Sequence, residues 1–270
     1  MNALLKPGRF LYGIGILTLG VHQLITQSFR PDILPPFKWA NEYAVLPILA
    51  SVALIFAGAV ISGSIRINSM SALRTSRYLA FCFLVLIVTC HLPYILFVSE
   101  AKVMQLQVWF AVGEAVAYCG GALVMAGSFP KGVDVQQNAV ESMTERLIPA
   151  GPAFYSLLII LFGCSHFVYT DYVATMIPKW FGAPLFWTYL VGVLLVCAGI
   201  AIILRILVRI VALLLAILLM LFFILFHVPD AIANPTAGGG NEIVRAIVAL
   251  LFCGIALVIA ASRASNVRGN

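Results

Sequence analysis

Apolar residues dominate this chain in long windows separated by short polar connections. About 20 such residues are enough to cross a ~30 Å hydrocarbon layer as a helix. The windows fall at 10–28, 43–62, 78–98 and 108–127, and again at 152–170, 184–204, 207–227 and 243–262. Runs of this length suit helices, because barrel strands need about 9–11 residues and alternate polar with apolar positions. No such alternation is present. The expected fold is therefore an all-α integral membrane protein with eight transmembrane helices. The first window follows Lys6 and Arg9 as a signal peptide would, but it is long and no small-x-small cleavage site follows it, so it reads as a retained span.

Composition strengthens this picture. The chain is 63% hydrophobic and 10% charged, against roughly 25% charged residues in an average soluble domain, which excludes a soluble fold. The net charge of +6 matters less than where the charges lie. Lys6, Arg9, Arg66, Arg74, Arg77, Lys131, Arg146, Arg205, Arg209, Arg263 and Arg268 fall in the N-terminus, the even-numbered loops and the C-terminus. Arg30, Lys38, Lys102, Lys179 and Arg245 fall in the odd-numbered loops. The positive-inside rule then places both termini in the cytoplasm, with a bacterial inner membrane as the expected location. Nucleic-acid binding has no support in such a distribution. Cys82, Cys90, Cys119, Cys164, Cys197 and Cys253 all lie within predicted spans, and no C-x-x-C pair occurs. They read as small apolar packing residues.

The second half of the chain restates the first at an offset of 134 to 144 residues. Gly20 and His22 answer Gly163 and His166, while Pro36, Phe37, Lys38 and Trp39 answer Pro178, Lys179 and Trp180. From Trp39 to Gly58 is 19 residues, as it is from Trp180 to Gly199. His91 with Pro93 answers His227 with Pro229, and Cys119–Gly120 answers Cys253–Gly254. An even number of spans per copy preserves orientation, so the sequence predicts two parallel four-helix repeats about an axis along the membrane normal. Their bounds are 1–129 and 148–270, joined by a cytoplasmic linker at 130–147 that holds Gly132, Asp134, Gln136, Gln137, Asn138, Glu141 and Glu145.

All four histidines, His22, His91, His166 and His227, occupy repeat-equivalent places near one end of their spans. A neutral imidazole accepts a ligand or a proton and titrates near neutral pH, so the residues alone admit a metal or haem site, a quinone hydrogen-bonding site, or a proton relay. A proline two positions after His91 and His227 removes a backbone donor, and the helix is expected to break there. The imidazoles would equally serve as caps of such frayed ends. Asp230, three residues after His227, is a candidate to hold that ring in one tautomer, whereas Asp171 reads as an interfacial charge. Glu114 lies deep in the fourth span, and its counterpart near Val248 is apolar. A carboxyl at that depth is expensive and marks a functional position by default. Lys38, Trp39, Lys179 and Trp180 read as headgroup-boundary anchors, or as parts of loops that roof the histidines.

The second copy, with Gly163 to His166, Pro178-Lys179-Trp180, Ala198-Gly199, Arg209, and Phe226-His227 with Pro229 and Asn234, resembles the DoxX-like four-helix membrane proteins. The resemblance implies a tandem fusion of two such units. It also implies a redox or quinone-linked role, since families of this class include membrane subunits associated with thiosulfate:quinone oxidoreductase. The expected function is a membrane component of a redox system that binds quinone or haem near the outer face through the histidines, with lipids and other subunits of a redox complex as partners. A small-molecule transporter or channel using Glu114 as its buried coupling group, and a scaffold without chemistry, stand as alternatives.

Overall fold

The computed structural model describes residues 3–65, 68–100, 103–130 and 137–262. Arg66, Lys102, Lys131, Gly132, Asp134, Gln136, Arg263 and Arg268, which enter the charge and linker readings, lie outside the described residues.

The described chain is all-helical, and no strand occurs among the described residues. Its helices are α1 Leu5–Thr26, α2 Val45–Ser62, α3 Ser69–Leu86, α4 Trp109–Ser128, α5 Ala139–Leu147 and α6 Gly151–Val168. They continue as α7 Thr170–Thr175, α8 Pro184–Ile203, α9 Val208–Phe222, α10 Val228–Ala233 and α11 Asn241–Ser262. Seven helical stretches among the described residues are long and apolar enough to cross a membrane, which makes the chain an integral membrane protein. The 22 residues of α1 are also long enough, but Lys6, Arg9, His22 and Gln23 make this helix more polar than the others.

The helix pairs recur in matched fashion. Helix α1 packs on α2 and α11, while α6 packs on α8 and α4, and α3 and α9 lie against α4 and α11 respectively. The Tyr12 hydroxyl donates to the Tyr118 carbonyl at 3.1 Å, and the Tyr155 hydroxyl donates to the Phe252 carbonyl at 3.1 Å. The Cys119 thiol donates to the Ala80 carbonyl and the Cys253 thiol to the Ala216 carbonyl, both at 3.3 Å. These cysteines are free and buried, as packing residues should be. Tyr12, Tyr118, Tyr155 and Phe252 anchor the core, each at most 1% exposed.

Several crossings depend on glycine, and two of them recur in both halves. A Cβ on Gly254 would come within 2.5 Å of the Tyr12 nitrogen and 2.7 Å of the Gly8 oxygen, where α11 crosses α1. A Cβ on Gly120 would come within 2.7 Å of the Gly151 oxygen, where α4 crosses α6. Small residues at helix crossings let backbones approach closely where no hydrophobic effect drives association.

Two boundaries differ from the sequence expectation. Helix α3 begins at Ser69 rather than near 78, because the Asn68 side chain caps it by accepting from the Ser71 nitrogen at 2.8 Å. The prolines do not break their helices. Ile87–His91 and Phe223–His227 are π-helical turns, closed by bonds from Leu92 to the Ile87 carbonyl and from Val228 to the Phe223 carbonyl. A wider turn accommodates the ring and missing donor of a following proline without ending the helix.

The linker is partly helical. In α5, Asn138 and Glu141 form a reciprocal capping box, and Glu141 and Glu145 reach α3 through Arg74 and Arg77. The Asn138 amide also donates to the Tyr78 hydroxyl at 2.7 Å. Asn138→Ala removes the cap and this bond together, so α5 should lose about 1 kcal/mol of local stability. Hydrogen exchange of the α5 amides measures it; unchanged protection would mean that the ion pairs alone hold the helix.

Candidate functional site

The four histidines lie at the bundle end opposite the linker, near the ends of α1, α3, α6 and α9. At this histidine end, the connection between α1 and α2 folds into the bundle. Asp32, Ile33, Leu34, Pro35 and Ala40 are all buried, although the segment is a loop rather than a span. A loop can lie at such depth only where protein groups satisfy its polar atoms. The Tyr118 hydroxyl, from α4, donates to Asp32 Oδ2 at 2.9 Å, and Arg30 Nε lies 3.4 Å from Asp32 Oδ1. His91 Nε2 bonds the Ile33 carbonyl at 3.3 Å, and since a carbonyl only accepts, that nitrogen carries the proton.

Glu114 sits one helical turn beyond Tyr118 on α4, towards the histidine end. It lies within electrostatic range of Asp32, Arg30 and Arg245, and it retains accessible surface. No side chain or backbone group among the described residues forms a hydrogen bond with its carboxyl. Arg245, on α11, binds both oxygens of Glu242 at 2.7 and 2.9 Å and donates to the Tyr172 hydroxyl at 3.1 Å.

The predicted histidines are distributed unequally around this cluster. His22 and His91 both lie within electrostatic range of Asp32, so the two rings of the first half border one polar region. Nδ1 of His22 is buried without a hydrogen-bond partner, and its Nε2 lies against Gly240, where a Cβ would come within 2.6 Å. His227 is within range of Arg245 and Asp230, but Asp230 accepts from the Asn234 amide at 2.8 Å, and no hydrogen bond joins it to the ring. His166 stands apart, its Nδ1 donating to the Phe162 carbonyl of its own helix at 2.7 Å. That bond leaves Nε2 as a potential acceptor. No hydrogen bond joins two imidazoles among the described residues. No group of three His, Cys, Asp or Glu there is arranged to hold a metal ion.

The tryptophan loops differ. Trp39 stacks on Phe37 at 5.5 Å, and Phe37 meets Tyr94 edge-on at 5.1 Å, over the buried first loop. Trp180 meets Phe181, which packs on Trp187 and Phe226, while the surrounding segment stays largely exposed. Lys38 and Lys179 are exposed, as is Asp171.

Asp32, Tyr118 and Tyr172 were not candidates in the sequence, and Arg30 and Arg245 entered only as loop charges, although Arg245 stands on α11 rather than in a loop. Asp32 reads as an ordinary loop charge, and its partner Tyr118 lies 86 residues away. Only the unusual depth of Glu114 hinted at the cluster.

Among known proteins, no curated protein and no solved structure matches the chain. A family model described as Domain of unknown function (DUF8561) matches residues 155–265, from the first turns of α6 to just beyond α11.

Proposed function

We propose that this chain is a membrane component of a redox system whose histidine end offers a hydrogen-bonding site to a quinone-type headgroup. The observation that carries the reading is Glu114, a carboxyl at membrane depth without a hydrogen-bond partner among the described residues, within electrostatic range of Asp32, which Tyr118 and the two histidines of the first half also approach. A quinone is amphiphilic, so polar groups gathered at the end of a membrane bundle suit its headgroup while lipid receives its tail. Tyr118 and Arg30 hold Asp32, His91 holds the loop, and Glu114 is left to meet the ligand or its proton. The resemblance to DoxX-like proteins agrees with this role.

Helix α1 serves as the eighth span, and the two halves form parallel four-helix repeats with both termini in the cytoplasm of a bacterial cell. The recurring tyrosine, cysteine and glycine contacts support the repeat, and the family match within 148–270 supports its second unit.

A second reading, proton- or cation-coupled transport, is favoured by the same carboxyl because its neighbours include both cations and an anion, as in intramembrane coupling sites. One experiment separates them. Quenching of tryptophan fluorescence by a short-chain benzoquinone should saturate with the purified protein. A benzoquinone offers only acceptors, so the bond requires the protonated Glu114 carboxyl as donor, and Glu114→Ala, which removes that donor, should weaken binding about five-fold, since a neutral hydrogen bond contributes about 0.5–1.5 kcal/mol. Absence of saturable quenching in the unaltered protein removes the quinone reading, and quinone-independent proton uptake into vesicles, lost in Glu114→Gln, would install the second. A Soret band on the purified protein would substitute haem for quinone.

A further inference from the structure

We infer that the opposite, linker end of the bundle carries a binding site for the headgroup of an anionic phospholipid. There a groove of about 620 Å³ opens between the first turns of α1, the end of α2 and the start of α3. That volume lies within the roughly 300–1,000 Å³ typical of ligand-holding pockets. Lys6 and Arg9 stand in it beside Ser62 and Ser69, and Phe10 and Phe129 supply apolar wall. None of the described residues lining it is acidic.

The two cations differ from the others nearby. Arg74 and Arg77 are paired with Glu141 and Glu145. Arg9 instead donates through Nε to Ser128 Oγ at 2.9 Å, and through a terminal nitrogen to the Ser128 carbonyl. Its guanidinium lies 4.1 Å over the Phe129 ring. These partners fix the guanidinium in one orientation and none of them carries a negative charge. Among the described residues, neither Arg9 nor Lys6 forms an ion pair. An immobilised, uncompensated guanidinium is a preorganised partner for phosphate oxygens.

Position argues for a lipid rather than a free anion. The groove lies where α1 and α2 reach the membrane boundary, and Phe10 is 49% exposed along its rim. A phosphate can rest between Lys6 and Arg9 while the acyl chains follow the apolar wall. Basic pockets between spans at this level recognise acidic headgroups, each cation contributing about 1 kcal/mol.

The test uses the full chain in detergent, with thermal stability read against added phosphatidylglycerol, phosphatidylcholine or inorganic phosphate. Phosphatidylglycerol should raise Tm at lipid concentrations where phosphatidylcholine does not. Lys6→Gln should weaken the apparent affinity roughly five-fold, and Lys6→Gln with Arg9→Gln further still. Lys6 is exposed and makes no ion pair, so its variant is the one expected to fold normally. Equal stabilisation by phosphatidylcholine, undiminished phosphatidylglycerol binding in Lys6→Gln, or full stabilisation by inorganic phosphate would each overturn the lipid assignment. None of these outcomes bears on Glu114 at the other end.

Discussion

Asp32→Ala should destabilise the protein by about 3 kcal/mol, the loss expected when one member of a buried charge pair, here also the acceptor of a buried hydroxyl, is removed. Asp32 is 2% exposed, and two partners depend on it. The substitution leaves the Tyr118 hydroxyl inside the bundle without its acceptor at 2.9 Å, and Arg30, with a side chain 17% exposed, without its counter-charge. An unsatisfied buried donor alone costs about 1–3 kcal/mol. The first loop should then lift from the bundle, taking Ile33 from His91. Asp32→Asn keeps an acceptor for Tyr118 but not the charge facing Arg30, so it should lose about half as much. Unfolding titration of the purified protein measures both variants. A loss below about 1 kcal/mol for Asp32→Ala would show that hydrophobic burial of Ile33 and Leu34 holds the loop without the carboxylate.

Gly254→Val should cost about 3 kcal/mol or more, at the upper end of overpacking penalties. The added atoms meet backbone, at Tyr12 and Gly8, and backbone cannot rotate out of the way as a long side chain can. Relief requires α1 and α11 to separate, which also stretches the bond from Tyr12 to Tyr118. Gly120→Val makes the corresponding clash between α4 and α6, at the Gly151 oxygen and the Tyr155 nitrogen. If the halves are repeats, the two variants should lose similar stability. Tm of each, with the double variant, reads this directly. A tolerated Gly254→Val would mean that the α1–α11 crossing is looser than its backbone distances imply. A large difference between the two would weigh against equivalent halves.

Hydropathy alone carried the class of this protein. Spans of apolar residues determine an all-helical membrane chain because no other open structure satisfies its backbone hydrogen bonds inside lipid. Within that frame, the repeated glycines and cysteines were legible as landmarks, and the contacts of Gly120, Gly254, Cys119 and Cys253 explain why those small residues stand where they do. The histidines, too, could be placed at one end from span positions. What they touch could not. A helix position leaves open which neighbour a ring faces, and here one ring bonds a loop carbonyl, one bonds its own helix, and one lies against Gly240.

The early start of α3, the π turns before Pro93 and Pro229, and the α5 helix required particular caps and ion pairs that a window of hydropathy averages away. The candidate site needed more. Glu114 announced itself by the cost of a carboxyl in an apolar span, a property of its immediate neighbours in sequence. Asp32 and Arg30 sit in a short polar connection and look like solvated charges. Tertiary folding alone brings that connection inside the bundle and sets Asp32 against Tyr118, 86 residues onward. Sequence therefore determined that the chain is built from long apolar helices, because apolar character is a sum over local residues. Structure decided which polar groups meet there, because hydrogen bonds and charge pairs depend on distances of a few ångströms between residues far apart in the chain.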